Sequence, residues 1–154
     1  MVFVFLFCEN SKEGFMNKKS ALDALPSRKL ASDQAVVVLG ASPRASRYSN
    51  MAVRQLKSNG YKVIPVNPGH SSVEGLDTVS RLSEIKDPVH TLTLYLSPVW
   101  SERIEDDIIN LKPERVIFNP GTESHKLRES LNNSGIPYLE ACTLVMLSTG
   151  QFSN

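Results

Sequence analysis

Short apolar runs and amphipathic stretches alternate along the chain from residue 35 onward. Runs dominated by apolar and mostly β-branched residues are typical of strands buried in a sheet. They predict five strands, at residues 35–39, 61–66, 89–96, 115–118 and 136–139. Apolar residues at helical spacing, bounded by capping and stop signals, predict helices between them. These helices run from Ser49 or Asn50 to 59, and over 98–111, 124–134 and 143–149, with a helical turn at 80–85.

This alternation predicts an α/β protein whose mostly parallel sheet is covered by helices on both faces. Right-handed crossovers make a three-layer, doubly wound, Rossmann-like sheet of about five strands the simplest topology. Counting the strands along the chain, we predict the order 3-2-1-4-5. In such a sheet, ligands bind beyond the carboxyl ends of the strands, where the winding reverses. That rule nominates the loops at residues 40–48, 67–69, 96–98 and 119–123.

The first 32 residues do not follow this pattern, and we interpret them as an N-terminal extension and leading arm before a domain at 33–154. The apolar run at residues 2–8 is far shorter than the roughly 20 residues that a membrane-spanning helix needs. No cationic stretch precedes it, so it does not resemble a signal peptide. Met16, which Lys18 and Lys19 follow, suggests that the first fifteen residues are an upstream extension. The alternative is an edge strand, because aromatic and aliphatic residues alternate over 2–7.

Composition narrows the classes of function. The 154 residues, of which 41% are hydrophobic, suffice for one compact domain. Lys and Arg number 17 against 16 Asp and Glu, so the formal charge of +1 lacks the basic excess of an electrostatic nucleic-acid binder. Cys8 and Cys142 form neither a CxxC motif nor a disulfide framework. This usage is typical of a reducing compartment, and we predict a cytoplasmic location.

The loop after the first strand carries a candidate phosphate site. Residues 40–44 (GASPR) precede a helix, where free backbone N–H groups and the positive helix end can hold a phosphate. Arg44 and Arg47 can add charge-assisted contacts, and we expect Gly40 to let the backbone approach the ligand. The alternative is an ordinary strand-to-helix loop with solvated arginines, because the GxGxxG pattern is missing. The second strand also ends without the acid typical of NAD-binding domains, which disfavours a dehydrogenase.

Four segments resemble, in the same order, the small stand-alone CoA-binding proteins. They are VLGASPR at 38–44, GYKVIPVNP at 60–68, FNPGTE at 118–123, and EACTLVML at 140–147 followed by TGQ at 149–151. Those proteins are similar to the amino-terminal CoA-binding domain of the succinyl-CoA synthetase alpha subunit. The resemblance spans about residues 33–152 and implies a Rossmann-like fold that binds coenzyme A. It implies phosphates at the 40–44 loop and adenosine near Asn67 and Pro68. Ligase activity is not implied, because the synthetase's phosphohistidine and nucleotide-grasp domains have no counterpart in the sequence.

The nominated loops and the resemblance together define a set of predicted cofactor-binding residues, with no catalytic residue and no metal site. The set is Gly40, Ala41, Ser42, Pro43, Arg44, Arg47, Tyr48, Asn67, Pro68, Ser97, Asn119, Pro120, Gly121, Thr122 and Cys142. Cys142 begins the last predicted helix, and a buried structural cysteine is the alternative to a ligand contact. The three histidines lack metal-ligand spacing, and Ser42 does not lie in a GxSxG nucleophile elbow.

The function predicted from the sequence is a non-catalytic module that binds coenzyme A or an acyl-CoA, as a carrier, a sensor or a partner of an acyl-CoA enzyme. The nominated loops offer many hydrogen-bonding side chains, but Glu123 alone among them acts readily as an acid or base. The alternative is a small enzyme that uses a nucleotide cofactor, either a NAD(P)-linked reductase or an acyltransferase. We expect no nucleic acid and no membrane as partners; a homodimer and a partner acyl-CoA enzyme both remain open.

Overall fold

The computed structural model of the chain describes residues 31–153. Almost all of the predicted N-terminal extension, the alternative edge strand and Cys8 lie outside the described residues, and the domain boundary at residue 33 stays a prediction. No helix within the described range has the length and apolar character needed to span a bilayer.

In the part of the chain that the structure describes, seven strands form a parallel sheet and a small hairpin. The parallel sheet contains β1 (Ala35–Leu39), β2 (Lys62–Val66), β5 (Thr91–Leu94), β6 (Arg115–Phe118) and β7 (Tyr138–Glu140). The antiparallel hairpin contains β3 (Ser72–Val73) and β4 (Leu76–Asp77), which the sequence pattern did not predict. The helices are α1 (Tyr48–Ser58), α2 (Pro98–Arg103), α3 (Glu105–Leu111), α4 (His125–Asn133) and α5 (Thr143–Ser148). Short 3-10 turns cover Ala31–Asp33, Leu82–Glu84 and Gln151–Ser153.

The parallel α/β sheet is confirmed, but the predicted strand order is wrong. The observed order is β2-β1-β5-β6-β7, which is 2-1-3-4-5 when only the strands of this sheet are counted. The third of them pairs with β1 instead of lying outside β2. One reason is Pro65 in β2, whose carbonyl faces the outer side and accepts from the Val79 N–H at 3.0 Å. Proline has no N–H to pair with a full strand on that side, so β2 lies near the sheet edge.

Alternating side chains of the central strands build a core on each face of the sheet. On one face, Val37, Leu39, Leu92, Leu94, Val116 and Phe118 pack with Ile108 of α3 and Leu127 and Leu131 of α4. On the other face, Val36, Val38 and Ile117 pack with Val53 and Leu56 of α1, Met146 and Leu147 of α5, and Phe152. Because helices cover both faces, a ligand must enter at an end of the sheet.

The long helix predicted over 98–111 is divided into α2 and α3 at Ile104. Ile104 leaves the helical conformation, with φ −114° and ψ 23°. Three acidic residues, Glu105, Asp106 and Asp107, then occupy the first turn of α3. Acidic side chains favour a helix N-terminus through the helix dipole, so this cluster marks a helix start.

Candidate functional site

A polar cleft of about 480 Å³ opens at the carboxyl ends of β1 and β5, where the winding of the sheet reverses. Its walls come from the loops that follow β1, β2, β5 and β6. They are formed by Gly40, Ser42, Arg47, Tyr48, Ser49, Asn67, Tyr95, Leu96, Ser97, Pro120, Gly121 and Thr122. The structure therefore brings together most of the predicted cofactor-binding residues, and it adds Ser49, Tyr95 and Leu96.

An apolar pocket of about 410 Å³ adjoins the polar cleft, and the two share Gly40, Asn67 and Leu96. Its other walls are Leu39, Val66, Pro68, Ser80, Arg81, Leu82, Trp100, Ile104 and Asp107. The sequence analysis did not predict this pocket, because it treated residues 98–111, which include Trp100, only as an amphipathic helix. The available signal was the position of Trp100, three residues into a helix that begins at the nominated 96–98 loop.

Helix α1 begins in the wall of the polar cleft without a side-chain cap. Arg47 is the N-cap residue, in an extended conformation, and the first helical bond runs from the Met51 N–H to the Arg47 carbonyl at 3.0 Å. Within residues 31–153, the backbone N–H groups of residues 48–50 have no hydrogen-bond acceptor. Free N–H groups at a helix N-terminus bind anions, and the Arg47 guanidinium adds a positive charge beside them.

Gly40 was expected to let the backbone approach the ligand, but in the structure it makes room for a neighbouring segment of the chain. Its φ is +88°, and a Cβ there would lie 2.8 Å from Leu96 Cδ2 and 3.0 Å from the Tyr95 carbonyl oxygen. The N–H groups of Gly40 and Ala41 both donate to the Val66 carbonyl, at 3.0 and 3.2 Å. Gly40 therefore permits the close approach of the chain after β5, and neither N–H is free for a phosphate.

Two arginines of the same loop differ in placement. Arg47 lines the polar cleft, whereas Arg44 lines neither cavity and is exposed.

Five predicted residues lie outside both cavity linings: Ala41, Pro43, Arg44, Asn119 and Cys142. Cys142 is half-buried at the N-cap of α5. Pro68 lines only the apolar pocket.

Asn119 is buried beneath the polar cleft, where it joins three elements of the fold. Its Nδ2 donates to Thr93 Oγ1 at 2.7 Å and to the Leu94 carbonyl at 2.9 Å. Its Oδ1 accepts from the Thr143 N–H at 2.8 Å, and its backbone carbonyl accepts from the Thr122 hydroxyl at 2.8 Å. The whole amide is thus used within the protein, and Asn119 positions the loops without facing a ligand.

Tyr95 forms part of the cleft wall and carries a buried hydroxyl. That hydroxyl has no hydrogen-bond partner within residues 31–153. The Thr93 and Thr143 hydroxyls, which lie near it, bond to each other at 2.7 Å. Burial raises the pKa of Tyr95 to about 12, although Thr143 acts in the opposite direction. At neutral pH this side chain is an uncharged phenol, which makes it a poor general base.

In the described part of the chain, carboxylate and histidine side chains do not line the polar cleft, and several of them pair with other parts of the protein. Glu123 Oε2 accepts from the Gly121 N–H at 2.8 Å and so closes its own turn. His90 Nε2 lies 3.9 Å from Glu114 Oε2, and His125 lies 3.7 Å from Glu129 within α4. Across residues 31–153 there is no group of three or more His, Cys, Asp or Glu side chains that could hold a metal ion.

The fold and the cavities define a class of protein: a Rossmann-like α/β domain with a polar cleft at its topological switch point, where ligands bind in such folds. The family model for the CoA binding domain matches residues 34–148, and the chain belongs to this family. The resemblance inferred from the four sequence segments is therefore confirmed.

Three similar proteins place the chain among its relatives. YneT of Bacillus subtilis (strain 168), an uncharacterized protein, is 34% identical over 77 residues, which are 47% of this chain and 57% of YneT. The crystal structure of another uncharacterized protein is 42% identical, with a TM-score of 0.73, covering 77% of this chain and 98% of that one.

The third is the dinucleotide-forming acetyl-coenzyme A synthetase 1 of Ca. Korarchaeum cryptofilum, solved with phosphate and ADP. It is 23% identical, with a TM-score of 0.60, over 69% of this chain and 25% of that one. At this identity the likeness shows the fold alone: the same fold forms a quarter of a larger synthetase.

Proposed function

We propose that the protein is a cytoplasmic, non-catalytic module that binds coenzyme A or an acyl-CoA, as a carrier, a sensor or a partner of an acyl-CoA enzyme. Membership of the CoA binding domain family supports the class of ligand. The observation that carries the site is the uncapped N-terminus of α1, which opens into the polar cleft beside Arg47.

The phosphates of coenzyme A fit the polar cleft. The free N–H groups of Tyr48 and Ser49, which line the cleft, supply donors along one side, and Arg47 supplies a charge-assisted donor. The Ser97 side chain, which does not cap α2, adds a further hydroxyl at the wall. Together these groups match a multiply charged anion better than they match a neutral ligand.

The adenosine part of the ligand fits the apolar pocket. Trp100 lines that pocket, and the Arg103 guanidinium covers one face of its ring at 4.7 Å from the centroid, which leaves the other face for an adenine ring. Asp107 lines the same pocket and can accept a hydrogen bond from the amino group of adenine. Asn67 and Pro68 also line it, in agreement with the adenosine position that the family resemblance implies.

The residues that line the polar cleft support a role in binding a ligand and not in catalysing a reaction. Its titratable side chains are Arg47, Tyr48 and Tyr95, and arginine and tyrosine are poor proton carriers at pH 7. Cys142 and Glu123 lie outside the lining, and Glu123 is engaged by the Gly121 N–H. The lining of the polar cleft therefore contains no paired acid and base.

The rim of the site offers a surface for a partner. Tyr48 and Trp100 line the two cavities, yet they are 71% and 56% exposed, and Val99 beside Trp100 is 61% exposed. Exposed apolar side chains that surround a ligand site are typical of a surface that another protein covers. We propose that a partner acyl-CoA enzyme, or a second copy of the chain, contacts the protein there.

Coenzyme A is expected to bind in preference to NAD, because the second strand lacks the acid that holds the ribose of NAD. Titration calorimetry and thermal unfolding with CoA, acetyl-CoA, NAD and 3′,5′-ADP test this. A ligand present at 100 times its Kd should add roughly 2.7 kcal/mol to the free energy of unfolding. Micromolar binding of NAD, with no heat and no thermal shift for CoA, would show that the proposal is wrong.

Purified protein is expected to release no thiol from acetyl-CoA or succinyl-CoA above the buffer rate, because the cleft holds no acid and base pair. A colorimetric thiol assay at saturating substrate measures this. Cys142→Ala and Glu123→Gln are the matched variants. A saturable thioester hydrolysis that disappears in either variant would contradict the proposed binding role and show that the protein is an enzyme.

A further inference from the structure

The β3–β4 hairpin turns through a residue that is poorly suited to its backbone. Glu74 and Gly75 both have positive φ, at 51° and 75°. Two-residue turns of this kind favour Asn-Gly, because an ordinary side chain is strained in the left-handed region. Among the described residues, Lys112 at the end of α3 is the other non-glycine with positive φ. A glutamate held in a strained backbone conformation at a turn indicates that its side chain has a structural or functional role.

The Glu74 side chain reaches across to α1. Its Oε1 accepts a hydrogen bond at 2.8 Å from Nδ2 of Asn50, which is completely buried. The same Nδ2 donates at 2.9 Å to the Ser42 carbonyl in the loop after β1. An amide nitrogen has two hydrogens, so Asn50 links the hairpin tip to the loop and uses both. Lys57, two turns along α1, donates to the Glu74 carbonyl at 3.0 Å and gives a second attachment.

The loop has few other attachments between Ser42 and the start of α1. The Arg44 N–H donates to Ser42 Oγ at 3.2 Å, and the Arg47 N–H donates to the Arg44 carbonyl at 3.0 Å. Arg54 donates to the Ala45 carbonyl at 3.1 Å at an exposed position. Among the hydrogen bonds described for this loop, the bond from Asn50 to the Ser42 carbonyl is thus the one whose donor is a buried side chain. Asn67 Nδ2 holds the preceding Ala41 carbonyl at 2.7 Å, and the Asn50 bond holds the next residue, where the chain turns toward Arg47.

We infer that Glu74 is a positioning residue for the ligand site: through Asn50 it holds the Ser42 carbonyl, and with it the loop that presents Arg47 and the α1 N-terminus. This inference rests on the proposed function for the identity of the ligand. Glu74 does not line either cavity, so it acts on binding through Asn50. Its contribution is pre-organisation, because a loop that is already ordered loses less conformational entropy when the ligand binds.

Glu74→Gly tests the inference cleanly, because glycine accepts the positive φ and the change removes the side chain without new backbone strain. We expect the Kd for CoA to rise about tenfold, the scale of ordering a few side chains on binding. Glu74→Gln keeps an oxygen that accepts from Asn50, and its Kd should stay within about twofold of the wild type. Lys112→Gly relieves the same kind of strain away from the site and should leave the Kd unchanged.

Hydrogen exchange in the protein without ligand gives a second readout that does not depend on CoA. The peptide covering residues 42–47 should exchange faster in Glu74→Gly and in Asn50→Ala, and at the wild-type rate in Glu74→Gln and Lys112→Gly. If wild-type protein binds no CoA, the proposed function fails while this exchange pattern still decides the positioning role. Wild-type exchange of residues 42–47 in Glu74→Gly, or a wild-type Kd where CoA binds, would overturn the inference.

Discussion

Replacing Arg47 by Glu is expected to weaken coenzyme A binding about 100-fold, because hydrogen bonds to charged groups contribute about 1.5–3 kcal/mol each. The change removes the guanidinium from the cleft wall and puts a carboxylate beside the free N–H groups of Tyr48 and Ser49. A carboxylate at that position repels the ligand phosphates and competes with them for the helix N-terminus. Titration calorimetry at fixed ionic strength measures the change in Kd.

Arg44→Glu is the matched control, because it makes the same charge change three residues away at a side chain outside the cavity linings. Its Kd should rise by much less than that of Arg47→Glu. Both arginines are exposed, so both variants should keep the thermal stability of the wild type. Equal losses in the two variants would mean that general charge, and not a contact in the cleft, governs binding.

The positions of the main strands could be predicted because each is a short apolar run with clear ends. β1 and β6 agree with the sequence pattern residue for residue. The order of the strands could not be predicted in the same way. The alternation in TLTL, residues 91–94, is typical of a strand with one polar face, yet Thr91 and Thr93 are completely buried.

Those two threonines are buried because other parts of the chain satisfy their hydroxyls. Arg115 Nε donates to Thr91 Oγ1 at 2.9 Å, and Asn119 Nδ2 donates to Thr93 Oγ1 at 2.7 Å. Both donors lie more than twenty residues away in sequence. A local pattern cannot reveal such partners, so it cannot show that β5 is a central strand.

For the candidate site, too, the sequence predicted the location but not the roles of the individual residues. The rule that ligands bind beyond the carboxyl ends of parallel strands identified the loops that line the two cavities, because it depends on topology that the alternation of elements reveals. The tasks of individual residues depend on neighbours from distant segments. Gly40 is required by the close approach of the chain after β5. Arg81 precedes β5 and Trp100 follows it, yet both line the same pocket.

Asn119→Ala is expected to lower the free energy of unfolding by about 3 kcal/mol, because it removes three hydrogen bonds and leaves the buried Thr143 N–H without an acceptor. For a domain of this size, that loss corresponds to a fall in Tm of about 10 °C. Urea unfolding followed by circular dichroism measures it, with Asn133→Ala at the exposed end of α4 as the control, expected within about 0.5 kcal/mol of the wild type. A loss below about 1 kcal/mol in Asn119→Ala would show that the loops beneath the cleft are held by other contacts, since one ordinary hydrogen bond already contributes that much.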